Sequence, residues 1–254
     1  MRPSGPMKKP RPRAPALAAK KQPVQQRARD TYETILGATA QLLGDVGIER
    51  LSTNLVCERA GISPPALYHY FPNKYAILHE LGVRLMLTQN ELLQAWATPA
   101  TMRRSPARFA DALLELFLGT VELTEQVPGG VWITRALRAV PALHHVRIES
   151  HDHVTALLSD AFRQAHPHAD AAEVRLVVRL SVEAMYAAHE LLFDAPQLDA
   201  QAVGRTMSAM VASQFARLKK SPGRLAATPR ATKGPFVAPG LRPRTGKPGS
   251  GAGR

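Results

Sequence analysis

The sequence predicts an all-α protein. Between residues 30 and 218 the apolar side chains recur at i, i+3, i+4 and i+7, the repeat of one helix face, and no segment alternates with period two for long. Glycine, proline and cap-forming residues break the apolar stripes into helix-sized pieces. Tyr32, Ile35, Leu36, Leu42 and Leu43 mark a first amphipathic helix that stops at Gly47. Thr39 lies on the same face, where its methyl group packs but its hydroxyl needs a partner. Two short helices follow, Ser52 to Ala60 and Pro64 to Phe71. Asn73 is placed to cap a fourth that runs through Ile77, Leu78, Leu81 and Leu85.

A break near residue 100 is expected from the Thr-Pro-Ala-Thr step at 98–101 and from Ser105-Pro106. Phe109, Leu113, Leu116, Phe117 and Thr120 then share one face up to Val127-Pro128-Gly129-Gly130. Helix resumes over 131–140 and 142–165, and again in two long final stretches at about 171–193 and 198–218. Asp170 with Glu173 has the spacing of a reciprocal cap. Val178 and Leu192 in the first of these helices, and Met207, Met210, Val211 and Leu218 in the second, crowd more than one side. A helix apolar on more than one face is buried on more than one side, and a second subunit is one way to supply that cover.

The net charge of +13 is unevenly placed. Nine Lys/Arg fall in residues 1–29 and ten in 217–254, while the 14 between them face all 20 acidic residues. An acidic body with basic ends is not a basic globule, so the total says little about which surface meets nucleic acid. Residues 1–24 and 220–254 are rich in Pro or Gly without apolar periodicity, and are expected to be a disordered basic arm and tail. Whether these ends touch phosphates or stay solvated is left open by composition. The lone Cys57 excludes an internal disulfide. No apolar run follows the N-terminal charges, and none approaches the ~18 residues of a membrane span. A cytoplasmic protein is expected.

Residues 52–71 form the one stretch whose residue types and spacing point to a single chemistry. Two short helices joined through Gly61 have helix-turn-helix spacing, which lays the second helix in the DNA major groove. Ser52 is placed to cap the first helix and Ser63 the second. Pro64 suits the first helical position, where no N–H is needed, and Pro65 leaves Ala66 as the partner for the Ser63 hydroxyl. Leu55, Val56, Ala60, Ile62, Leu67 and Phe71 are expected to form the small core beneath. The edge Pro64-Pro65-Ala66 is apolar and rigid, matched to thymine methyl groups more than to guanine acceptors. Hydrogen bonds to bases then fall to His69 and to Tyr70, with Thr53, Tyr68 and Lys74 on phosphates. Ser52, Asn54 and Ser63 complete the expected DNA-facing set.

These residues resemble the DNA-binding domain of the TetR family of transcriptional regulators over about residues 29–89. The pattern is Leu42-Leu43-Gly44-Asp45-Val46-Gly47, Leu51-Ser52, Val56 to Ser63, Ala66 to Phe71 and Asn73-Lys74, in order over some 60 residues. Cys57 stands where a small alanine is usual, and Pro64-Pro65 replaces a common polar-then-glycine pair. The resemblance implies a helix-turn-helix domain at 25–89 and an effector-binding and dimerisation domain at 90–219. It also implies a homodimer formed through the last two helices. The function implied is a repressor that binds a palindromic DNA operator and is released by a small-molecule effector, without cofactor or metal.

Phe109, Phe117, Trp132, Phe162, Met185, Tyr186 and His189 could line an effector pocket or simply be core, with Arg135 near Trp132 as a contact for an acidic ligand. His144, His145, His151 and His153 cluster without the ligand spacing of a recognised metal site. His189 with Glu190 or Asp194 could be cast as an acid–base group, but no nucleophile or phosphate loop accompanies it, and no enzyme is expected. An architectural protein held to nucleic acid by its basic ends is the remaining class; salt-sensitive, sequence-blind binding would mark it.

Overall fold

The computed structural model describes residues 15–20 and 25–220. Among these the secondary structure is helical, without strands. In order, the helices are α1 Gln26–Arg50, α2 Thr53–Ala60, α3 Pro64–Tyr70, α4 Lys74–Trp96, α5 Pro99–Arg103 and α6 Pro106–Gln126. They continue with α7 Gly130–Ala139, a 3-10 turn at Pro141–Leu143, α8 His144–Ala165, α9 Ala171–Asp194 and α10 Ala200–Lys220. Among the described residues no helix is long and apolar enough to cross a membrane.

Local chemistry sets most boundaries. At Gly47 (φ 70°) α1 leaves the helical region, and only one further turn follows. Asn73 Oδ1 accepts from Ala76 N at the start of α4, Ser105 Oγ from Arg108 N at α6, and Asp170 Oδ1 from Glu173 N at α9. The break near residue 100 contains the short α5, capped by Thr98. Thr39 finds its partner one turn back, donating to Ile35 O at 2.8 Å.

Among the described residues two large apolar cores form, with a smaller cluster of Phe117, Val121, Ala188 and Leu192 between α6 and α9. The first joins α1 to α4 through Ile35, Leu43, Val56, Leu67, Phe71 and Ile77, and takes in Ile133 and Leu137 of α7. The second joins α5, α6, α8, α9 and α10 around Phe109, Phe162, Val178 and Phe215. The expected domain boundary at 89/90 falls inside α4. Leu78 to Met86 pack into the first core, and Leu93 and Trp96 against the second. A single uninterrupted helix therefore belongs to both halves. Arg84 ties its first half to α1, donating to both Glu33 carboxylate oxygens at 2.7 and 2.9 Å and to Glu80 at 3.0 Å.

The arm expectation is corrected for residues 15–20. Lys20 N donates to Tyr70 O at 2.7 Å, Lys20 Nζ to Tyr68 O at 3.0 Å, and Asn73 Nδ2 to Ala16 O at 2.9 Å. Leu17 and Ala19 pack on the first core. Two apolar contacts and carbonyls at the C-terminal end of α3, where a cation is favoured, hold what composition alone reads as loose. The rest of the arm, and the tail from residue 221, lie outside the described residues.

The α6–α7 turn adds a further contact between the halves. Gly129 has φ 69°, and a Cβ there would overlap the Ala40 carbonyl oxygen of α1. Gly129→Ala is expected to cost about 2–4 kcal/mol, combining left-handed strain with overpacking. Urea unfolding checks it, and a loss under about 0.5 kcal/mol would show that this approach is not tight.

Candidate nucleic-acid interface and the cavity behind it

The turn between α2 and α3 follows from its residues. Ser52 Oγ accepts from Leu55 N at 3.2 Å, and Gly61 takes the left-handed conformation (φ 63°) that ends α2. Ser63 differs from expectation: its hydroxyl makes no cap bond. Its backbone carbonyl instead accepts from Ala66 N at 3.0 Å and Leu67 N at 3.2 Å. With Pro64 and Pro65 lacking N–H groups, the first donors of α3 are met by the main chain, and the Ser63 side chain stays exposed at the surface. Leu67 and Phe71 are fully buried beneath α3, with Val56 and the buried Cys57 opposite. Burial raises the Cys57 thiol pKa, so its role here is packing.

The outward edge of α3 presents Ser63, Pro64, Pro65, Tyr68 and His69, with Ala66 half-covered; Asn54 of α2 is also exposed. Tyr68 OH and Thr53 Oγ1 lie 3.0 Å apart and orient each other. Two expected contacts are corrected. Tyr70 is buried, edge-on to Tyr32 at 5.8 Å, and serves as a wall for the His69 ring at 4.9 Å rather than as a base reader. Lys74 Nζ donates to Leu51 O at 2.8 Å and Ile48 O at 3.2 Å, closing the end of α1. Its ammonium thereby braces the corner between α1 and α2.

Behind this domain a cavity of about 60 Å³ lies among α4, α6, α8, α9 and α10. Of the expected pocket residues, Phe109, Phe117, Met185, Tyr186 and His189 line it. Three do not. Phe162 is solid core against Phe215 at 5.5 Å. Trp132 packs toward Gly44 of α1 with the Arg135 guanidinium over its ring at 4.8 Å. Arg135 itself binds Phe193 O and Asp194 at 2.8 and 2.9 Å. Gln89, Trp96 and Thr120 also line the cavity and were missed. Gln89 carried a signal: it continues the Leu78, Leu81, Leu85 stripe of α4, a polar residue where an apolar one belongs. It donates to Thr124 Oγ1 of α6 at 2.8 Å and accepts from Tyr186 OH of α9 at 3.3 Å.

The expected interface residues also divide. Val178, Leu192, Val211 and Leu218 are buried in this chain's own core, whereas Met210 is exposed and Met207 borders an open groove between α9 and α10. The exposed apolar face is instead Leu176, Leu180 and Leu191, with Ala184 and Ala187 between them. The densest apolar stripe of each helix faces inward, and the second stripe faces out.

Three of the four clustered histidines are taken up by the chain, and His153 is exposed. His144 and His145 meet the Arg138 and Ala142 carbonyls, and His151 meets Glu183 at 3.0 Å. Among the described residues no three metal-binding side chains converge. His189 faces inward, while Glu190 pairs with Arg138 and Asp194 with Arg135, so the three do not meet. His189 Nε2 lies 3.1 Å from Phe117 O, and its ring stacks on Phe117 at 4.3 Å.

Burial drives the His189 pKa down from 6.5 to about 4, against the pull of the Phe117 carbonyl. The unfolded chain takes up this proton below about pH 6.5 and the folded chain only near pH 4. The contribution is therefore intact above pH 6.5 and is lost as the pH falls toward 4. Wild type minus His189→Gln is expected to lose on the order of 2–3 kcal/mol of unfolding free energy across that window. Urea titration at several pH values checks this, and parallel curves for the two proteins would contradict it.

The family model described as bacterial regulatory proteins, tetR family, matches residues 35–81. Over 58 residues the chain is 45% identical to the class C tetracycline repressor protein of Escherichia coli, covering 23% of this chain and 26% of that protein. Over 155 residues it is 25% identical to the class D tetracycline repressor protein of Escherichia coli, covering 51% and 71%. The higher-identity match thus spans only about a quarter of that relative's length. The fold is similar to that of a TetR-family transcriptional regulator from Streptomyces coelicolor, with TM-score 0.56 at 18% identity over 76% of this chain and 83% of that one. The exposed helix α3 on its buried core thus lies within the segment that matches the tetR-family model, and the fold of the described residues is similar to that of a TetR-family transcriptional regulator.

Proposed function

We propose that the protein is a cytoplasmic repressor. In this reading it binds a pseudo-palindromic operator as a homodimer and leaves it when a small molecule enters the cavity. The observation that carries the reading is the shared helix α4. Asn73 caps it directly after α3, and sixteen residues on, Gln89 borders the cavity. A ligand that moves Gln89 acts on the helix that holds the reading head. Free energy for release comes only from tighter ligand binding to the form that fits DNA poorly.

The outward Leu176, Leu180, Leu191 and Met210 face supports dimerisation, because apolar side chains at helical spacing on two adjacent helices gain by mutual burial. A two-fold pair presents α3 to successive major grooves, with half-site centres about one helical turn (~34 Å) or a multiple apart. Repression is favoured over activation because the class C and class D relatives are named repressors.

Against a duplex selected from random sequence, Tyr68→Phe is expected to weaken binding evenly, and His69→Ala to relax discrimination at one base step by ~1–3 kcal/mol. Replacing contacted thymines by uracil removes their methyl groups and is expected to lower affinity through the Pro64-Pro65 edge. Titration by fluorescence anisotropy reads all three. Unchanged sequence preference in His69→Ala, or indifference to uracil, would remove those roles.

Leu191→Asp combined with Met210→Asp is expected to give folded monomers with operator affinity reduced about a hundredfold or more, since each half-site is then held singly. Sedimentation and anisotropy measure both quantities. A variant that remains dimeric would move the interface elsewhere.

A further inference from the structure

The cavity lining states what kind of molecule it accepts. It contains no side chain that is charged near neutral pH: aliphatic and aromatic groups dominate, with Gln89, Thr120, Ser181, Tyr186 and His189 as its polar members. An ion entering here would lose its hydration without a counter-charge, at a cost of several kcal/mol.

Four of the five polar side chains are already engaged within the chain. Thr120 Oγ1 donates to Leu116 O at 2.9 Å, and Ser181 Oγ to Val177 O at 2.8 Å. Tyr186 OH and the Gln89 amide form a chain that runs through Thr124 Oγ1 to the Thr120 carbonyl. Burial pushes the Tyr186 pKa up to about 12, so its proton stays in place.

His189 differs. Its Nε2 faces the Phe117 carbonyl, which can only accept, so the ring proton is assigned to Nε2. Nδ1 is then a bare acceptor. The side chain is more than nine-tenths buried, and Nδ1 has no hydrogen-bond partner; the Met185 carbonyl one turn back is another acceptor and cannot supply a proton. A buried acceptor left unpaired is a penalty that a ligand donor can recover.

We propose that the cavity takes an uncharged, mainly apolar ring compound bearing one hydrogen-bond donor, a phenol-like hydroxyl, directed at His189 Nδ1. This rests on the effector reading above and names its ligand class. The cavity holds about 60 Å³, less than half of the roughly 150 Å³ that admits benzene. Such a ring must part the walls as it enters, with Met185 as the flexible side chain and Gln89 as the group on α4 that yields.

The test uses the full chain with Trp132→Phe, so that Trp96 in the cavity lining is the remaining tryptophan and its fluorescence reports occupancy. Three probes of similar size are titrated: 4-isopropylphenol, 4-isopropyltoluene and 4-isopropylbenzoate. The phenol is expected to bind about tenfold or more tighter than the toluene despite being less apolar, and the benzoate weakest of the three. Toluene binding equal to or tighter than the phenol, tightest binding by the benzoate, or no binding of any probe up to about 1 mM overturns the proposal. Because the phenol–toluene contrast is read without altering His189, misfolding of a His189 variant does not affect it. His189→Phe is expected to erase the contrast. Operator release is read separately by anisotropy. If the phenol binds with the expected preference and DNA stays bound, the ligand class stands and the effector reading fails.

Discussion

Burial of Leu67 and Phe71 under α3 is the constraint from which the DNA-binding surface follows. A seven-residue helix has no stability of its own, because nucleation outweighs the few hydrogen bonds it gains. Each of these two side chains contributes about 1.5–3 kcal/mol on leaving water, enough to hold the helix against α1 and α4. Once they point inward, helical geometry turns Tyr68 and His69 outward and places Pro64 and Pro65 at the leading edge. The surrounding polar contacts keep this arrangement from rolling. Gly61 sets the angle, Lys74 fixes the α1–α2 corner, and Lys20 closes the far end of α3.

The second constraint is continuity. With 23 residues, α4 spans about 35 Å, packed at one end under the reading head and at the other beside the cavity. A rigid rod shared by two cores converts a change at either end into a displacement at the other. Gln89 ties the rod sideways to α6 and α9 by hydrogen bonds that a ligand can exchange. The Gly129 turn, pressed on the α1 backbone, gives a second contact between the halves, so a shift of α6 also reaches the DNA-binding domain.

Much of this was legible in the chain. Ser52, Gly61 and Asn73 act locally, and their roles follow from neighbours within three residues. Periodicity likewise gave the helices and the inward set Leu67, Phe71, Phe109 and Phe117. Ser63 escaped for a local reason, and the rest depends on partners distant in sequence. Ser63 lost its capping role because its own carbonyl reaches Ala66 first. Lys74 and Tyr70 were assigned outward, whereas the Leu51 carbonyl and the Tyr32 ring draw them in. For α9 and α10, hydrophobicity marks the core stripe more strongly than the exposed one, so Val178 and Val211 stood out and Leu176 and Leu180 did not. The cavity was only partly visible, since Phe162 and Phe117 are alike in sequence and differ only in what faces them.

The central claim is that the exposed edge of α3 lies against base edges. The direct measurement replaces thymine in a selected duplex by 5-bromouracil, which sets bromine where the major-groove methyl stood. Irradiation of the complex with unaltered protein, followed by peptide mapping of the adduct, identifies the contacting side chain. The account predicts adducts within residues 63–70, on Tyr68 or His69. Adducts confined to other helices, from a duplex bound with full affinity, would contradict it.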